Sequence, residues 1–160
     1  MDFRFKPTKA WLSTGTGLSP TSKLNAFDKC LVDAGVGHLN LIEYSSILPK
    51  DVIFEDFLEG LEAGQATGAI MATASGDGGS KIASAIGIAL TDQYGLVAKA
   101  SDFSNLKEAQ NAVKDRLKEM CASRKLEVEE IITTVSNLDV PSGLLGSVVA
   151  LVVFDPSSYV

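Results

Sequence analysis

Residues 67–74 and 82–90 are continuous runs of small and branched apolar residues, with none of the polar alternation of a half-exposed strand. Runs of that kind suit strands covered on both faces, so the chain must place further layers above and below them. Around them, the sequence predicts strands over residues 38–48, 94–101, 130–136 and 147–154. Leu24, Phe27, Leu31 and Ala34 recur at helical spacing, which predicts a helix from Thr21 or Ser22 to Ala34, ended by Gly35 and Gly37. Leu106, Ala109, Val113, Leu117 and Met120 mark one stripe of a second, longer helix capped near Ser104, for which packing is the expected role. Residues 13–22, rich in Gly, Ser, Thr and Pro, read as a loop, and Gly76 to Lys81 as a turn. Many strands and two main helices that do not alternate one for one give an α+β layered sandwich with a mixed or antiparallel sheet core.

The 160 residues, 46% hydrophobic and 21% charged, suffice for one substantial core, so residues 1–160 are read as a single domain. Fourteen Lys and Arg against 20 Asp and Glu leave a net charge of −6, which argues against nucleic acid and suits a cationic partner. No segment reaches the uninterrupted apolar length of a membrane span and no leader pattern opens the chain, so no membrane partner and a cytoplasmic location are expected. Cys30 and Cys121 lie in no CxxC motif and are expected to be reduced. His38 is the sole histidine, which argues against a His-rich metal site and a Ser-His-Asp triad. The glycine turn before Lys81 lacks the spacing of a phosphate loop.

One motif carries chemistry. Leu24-Asn25-Ala26-Phe27-Asp28 is followed by a Gly35-Val36-Gly37 break and then by an apolar run that holds Asn40 and ends at Ser45-Ser46-Ile47-Leu48-Pro49. A serine hydroxyl beside the preceding peptide carbonyl can attack it, moving the acyl group from nitrogen to oxygen, and elimination from the resulting ester cuts the chain. Such a step needs donors aimed at the developing oxyanion. The Asn40 amide is a candidate, although a polar residue that merely satisfies hydrogen bonds at a strand edge would look the same.

Residues 22–50 resemble the pyruvoyl-dependent arginine decarboxylases. The resemblance implies scission between Ser45 and Ser46 into residues 1–45 and 46–160, with Ser46 converted to a covalent pyruvoyl group, so that neither pyridoxal phosphate nor a metal is needed. It further implies a Schiff base between that group and the substrate amine, and decarboxylation of arginine to agmatine in polyamine synthesis. Asp28 would contact the guanidinium as a bidentate carboxylate. Leu31 and Ile47 would line the methylene chain, and a homotrimer or a multiple of trimers would build the site between protomers. Family members carry a proton-donating glutamate in a strand reading roughly Gly-Leu-Ile/Val-Met-Glu-Tyr-Glu. Here that strand is Gly95-Leu96-Val97-Ala98-Lys99-Ala100-Ser101, so Lys99 stands at the donor's position, and Glu43 stands at a position often basic in the family. A buried ammonium can donate a proton, or the two residues can exchange charges as a pair. The alternative is a homologue that is non-catalytic or acts on another substrate.

Overall fold

The computed structural model describes residues 3–160. In chain order the elements are β1 (Lys9–Ser19), α1 (Lys23–Asp33), β2 (Asn40–Glu43), β3 (Ile47–Leu48), β4 (Ile53–Glu55), β5 (Ala66–Asp77), β6 (Lys81–Thr91), β7 (Gly95–Phe103), α2 (Leu106–Arg124), β8 (Val128–Asp139) and β9 (Leu145–Phe154). The strands form a mixed sheet in the order β2-β5-β9-β1-β4 and an antiparallel sheet in the order β3-β7-β6-β8. The sheets stack face to face, with α1 on the outer face of the first and α2 on the outer face of the second. This is the α+β layered sandwich that the continuous apolar runs require.

Each run divides its residues between two interfaces. From β9, Ala150, Val152 and Phe154 point between the sheets, whereas Val149, Leu151 and Val153 pack under α1. From β6, Ile86 and Ile88 point between the sheets, whereas Ala83, Ala85 and Ala89 pack under α2. Burying one such large apolar side chain contributes about 1.5–3 kcal/mol. No helix among the described residues is long and apolar enough to cross a membrane.

The structure corrects the expected loop at 13–22, which is mostly β1, a strand paired with β9 from Ala10↔Phe154 to Ser19↔Leu145. Its glycines mark close approach. A Cβ at Gly15 would lie 2.1 Å from the Cys30 carbonyl oxygen, and one at Gly17 would lie 2.1 Å from that of Ala26. The helix backbone thus rests directly on the strand, a common reason for glycine inside one. The same closeness revises the inward face of α1. Ala26, Cys30 and the capping Ala34 are buried, Phe27 and Leu31 are half-buried, and Leu24 is 75% exposed. Ser22 caps α1 by accepting from the Asn25 amide. Cys30 donates to the Ser147 carbonyl at 2.8 Å, and burial pushes its thiol up to about 11. Gly17→Ala should therefore cost about 1–3 kcal/mol through overpacking, read as a lower midpoint in denaturant unfolding.

Helix α2 is capped one residue later than expected, by Asn105, whose side chain accepts from the Lys107 and Glu108 amides. Lys125 closes the helix at φ 55° in the left-handed region. The C-terminal segment returns to the start of the chain, where the amides of Arg4 and Lys6 donate to the Val160 carbonyl and the Val160 amide donates to that of Lys6.

Candidate active site

The expected strand over 38–48 is two strands in different sheets. β2 runs parallel to β5 in the mixed sheet, whereas β3 pairs with Gly95 and Leu96 of β7 in the antiparallel sheet. Tyr44, Ser45 and Ser46 form the crossing. The Tyr44 amide donates to the Ala69 carbonyl at 2.8 Å, and the Val97 amide donates to the Ser46 carbonyl at 2.8 Å. The peptide between Ser45 and Ser46 thus passes from one sheet to the other and is anchored on each side. Tyr44 reinforces the first anchor. Its ring fills the space over Gly68, where a Cβ would come within 2.3 Å, and its hydroxyl lies 2.8 Å from that of Tyr159. Burial, and secondly the bond to Tyr159, push the Tyr44 phenol up to about 12, so it stays neutral.

Ser45 is exposed and Ser46 half-buried at the edge of a cavity of about 580 Å³. Because β3 is only two residues long, β7 has an open edge beyond Leu96. Val97 and Lys99, two apart, turn their backbone polar groups to that edge. The Val97 amide meets Ser46, and the Lys99 carbonyl accepts from Arg116 of α2. The guanidinium of Arg116 also lies over the Phe103 ring, 5.7 Å from its centre. Arg116, Met120 and Ser123 wall the cavity, so α2 forms part of the site in addition to packing. Their three- and four-residue spacing on one helix face was readable in the sequence, but their connection to Ser46 depends on the fold.

Lys99 lines the same cavity, and its Nζ lies 3.9 Å from Glu43 Oε1. The two residues placed at exchanged-charge positions do meet, and they bridge the sheets beside the crossing. Lys99 is not in an apolar interior, since its side chain is 37% exposed. The other expected site residues lie elsewhere in the chain. Asn40 opens β2, exposed, and its amide nitrogen donates to the Gly64 carbonyl at 2.8 Å. Five residues of extended chain, about 16 Å, separate it from Ser45. Among the described residues no side-chain hydrogen bond of Asn40 reaches Ser45 or Ser46. Asp28 is exposed on α1, and Leu31 packs in the apolar layer between α1 and the mixed sheet. Ile47, facing opposite to Ser46, lines a separate apolar cavity with Tyr44, Leu48 and Phe154.

The sequence model of the family described as pyruvoyl-dependent arginine decarboxylase matches residues 9–159. The chain belongs to this family. A Methanopyrus kandleri protein of that name is 34% identical over 149 residues, covering 92% of this chain and 97% of the relative. Proteins of the same name from Methanothermobacter thermautotrophicus and Pyrococcus furiosus are 31% and 30% identical, covering 81% and 83% of this chain and 85% and 87% of theirs. The family match spans both the serine crossing and the cavity wall from α2.

Proposed function

We propose that this chain cuts itself between Ser45 and Ser46 and, with a pyruvoyl group at residue 46, decarboxylates arginine to agmatine and carbon dioxide. The crossing between sheets carries this reading. It presents an exposed peptide, held by a backbone hydrogen bond on each side, with the neighbouring hydroxyl at the edge of an open cavity. The Ser46 hydroxyl attacks the Ser45 carbonyl carbon, the acyl group moves from nitrogen to oxygen, and elimination releases residues 1–45 with a carboxylate end and leaves dehydroalanine at position 46, which water hydrolyses to the pyruvoyl ketone with loss of ammonia. The residues present suit the group, because a carbonyl formed at position 46 opens into the cavity while the Ser46 backbone stays fixed by Val97. When formed, the pyruvoyl group supplies the electron sink that side chains lack. A denaturing mass spectrum tests the first half directly: two fragments, 1–45 and 46–160, are expected, and a single intact chain overturns it.

Arginine must be received at both ends. Asp28 would take the guanidinium through two parallel charge-assisted bonds, with Leu31 beside the methylenes. Within one chain α1 and the Ser46 cavity belong to different outer layers, so these residues would serve the cavity of a neighbouring copy, as in a homotrimer. Leu24, Val32 and Ile42, apolar and exposed on α1 and β2, are surface that such a copy would cover. Asn40, exposed beside them, would likewise act across that interface. Asp28→Asn should leave scission intact and weaken arginine binding about tenfold to a hundredfold. Co-expression of Asp28→Asn with Ser46→Ala should restore part of the activity that either lacks alone, and no restoration would place the site within one chain. The Glu43–Lys99 pair favours one rival, a homologue that is processed but non-catalytic or acts on another substrate.

A further inference from the structure

We propose that Arg116 binds the α-carboxylate of the substrate, a role that rests on the decarboxylase reading above. The α-amine must reach residue 46, and the carboxylate hangs on the same carbon, its own carbon about 2.5 Å from that nitrogen. The group entering the cavity beside residue 46 is therefore an anion, whereas the guanidinium lies at the far end of a methylene chain. The charged lining of this cavity is Arg116, Lys99 and the carboxylate of Glu119, two cations to one anion. The two cations are not equivalent. Lys99 is engaged by Glu43, whereas no carboxylate among the described residues pairs with Arg116. One Arg116 nitrogen donates to the Lys99 carbonyl, and the guanidinium carbon lies over the Phe103 ring. That leaves further N–H donors of a fixed fork for a planar anion. A cation at this end attracts the carboxylate rather than repelling arginine, and Asp28 is left to receive the guanidinium.

The position on α2 is exposed, so Arg116→Met should fold and self-process as the wild type does. Calorimetry on the processed proteins supplies the test, using guanidinovalerate, which keeps the guanidinium and carboxylate but lacks the amine, and butylguanidine, which lacks both amine and carboxylate. The wild type should prefer guanidinovalerate, and Arg116→Met should weaken it about tenfold or more while leaving butylguanidine unchanged. Arg116→Lys, keeping the charge without the fork, should fall between. In turnover the variant should raise KM for arginine with kcat little altered, and inhibition by agmatine should be unaffected. Equal loss for both probes would make Arg116 a packing residue, and no loss would leave it outside the site. Either result with arginine still turned over overturns this proposal alone, whereas a wild type that turns over no amino acid overturns the decarboxylase reading with it.

Discussion

Ser46→Ala is expected to abolish scission, giving one intact chain where the wild type gives residues 1–45 and 46–160. The effect should be complete, because alanine has no oxygen to accept the acyl group. Ser45→Ala should still be cut, since the reaction uses only the carbonyl of that residue, and both anchors of the crossing are backbone hydrogen bonds at Tyr44 and Ser46. If Ser46→Ala is still cleaved at this bond, some other nucleophile acts there and the pyruvoyl reading fails. After cleavage the wild-type fragments should remain associated under native conditions. β1 and α1, both in the short fragment, are built into the mixed sheet and its helical layer, and β1 lies between β9 and β4.

Lys99→Glu is expected to raise the turnover of arginine about a hundredfold, the lower part of the range for a positioned general acid. In the wild type the Lys99 charge is committed to Glu43, at 3.9 Å, and its side chain is part exposed to water. A carboxylate in its place, one bond shorter than the lysine, would face the Glu43 carboxylate across a somewhat wider gap. Like charges that close cannot both ionise readily, so one proton is retained to higher pH and is available for the carbanion. The rate of the variant should therefore fall as pH rises through that raised pKa. A fast wild type that Lys99→Ala inactivates would instead identify the ammonium as the acid. If both Lys99 forms self-cleave and neither decarboxylates arginine, the substrate assignment falls and the non-catalytic or altered-substrate reading replaces it.

The layers were legible because burial on both faces leaves an unbroken apolar run, as in β6 and β9. Residues 13–22 misled because the composition that usually signals a turn here signals contact, with Gly15 and Gly17 emptied of side chains so that α1 can lie on them. The small inward residues of α1, Ala26 and Cys30, follow from the same contact, and the larger Leu24 that suggested a core face is left outside. The serine pair was visible as a motif. That it spans two sheets was not, since strand-like composition runs across the crossing and only the pairing partners, β5 before it and β7 after it, reveal the change. Glu43 and Lys99 could be suspected as a charge-exchanged pair, but they stand 56 positions apart and their meeting depends on two strand edges from different sheets. Arg116 carried no signal of its own, because nothing local distinguishes it from the other charges on α2.

The hydrogen bonds between Val160 and the Arg4–Lys6 segment give the backbone the outline of an almost closed ring. A scission at Ser45 then adds a second gap to the ring, and the two arcs remain locked by their sheets. A circular permutant follows from this geometry, with its ends joined through a short linker and its new start at Ser46. It would keep every strand pairing of the parent, yet Ser46 would have no acyl group before it to capture. Such a permutant should fold with an ordinary N-terminal serine and no activity, separating the architecture of this protein from the one covalent event that its function is proposed to require.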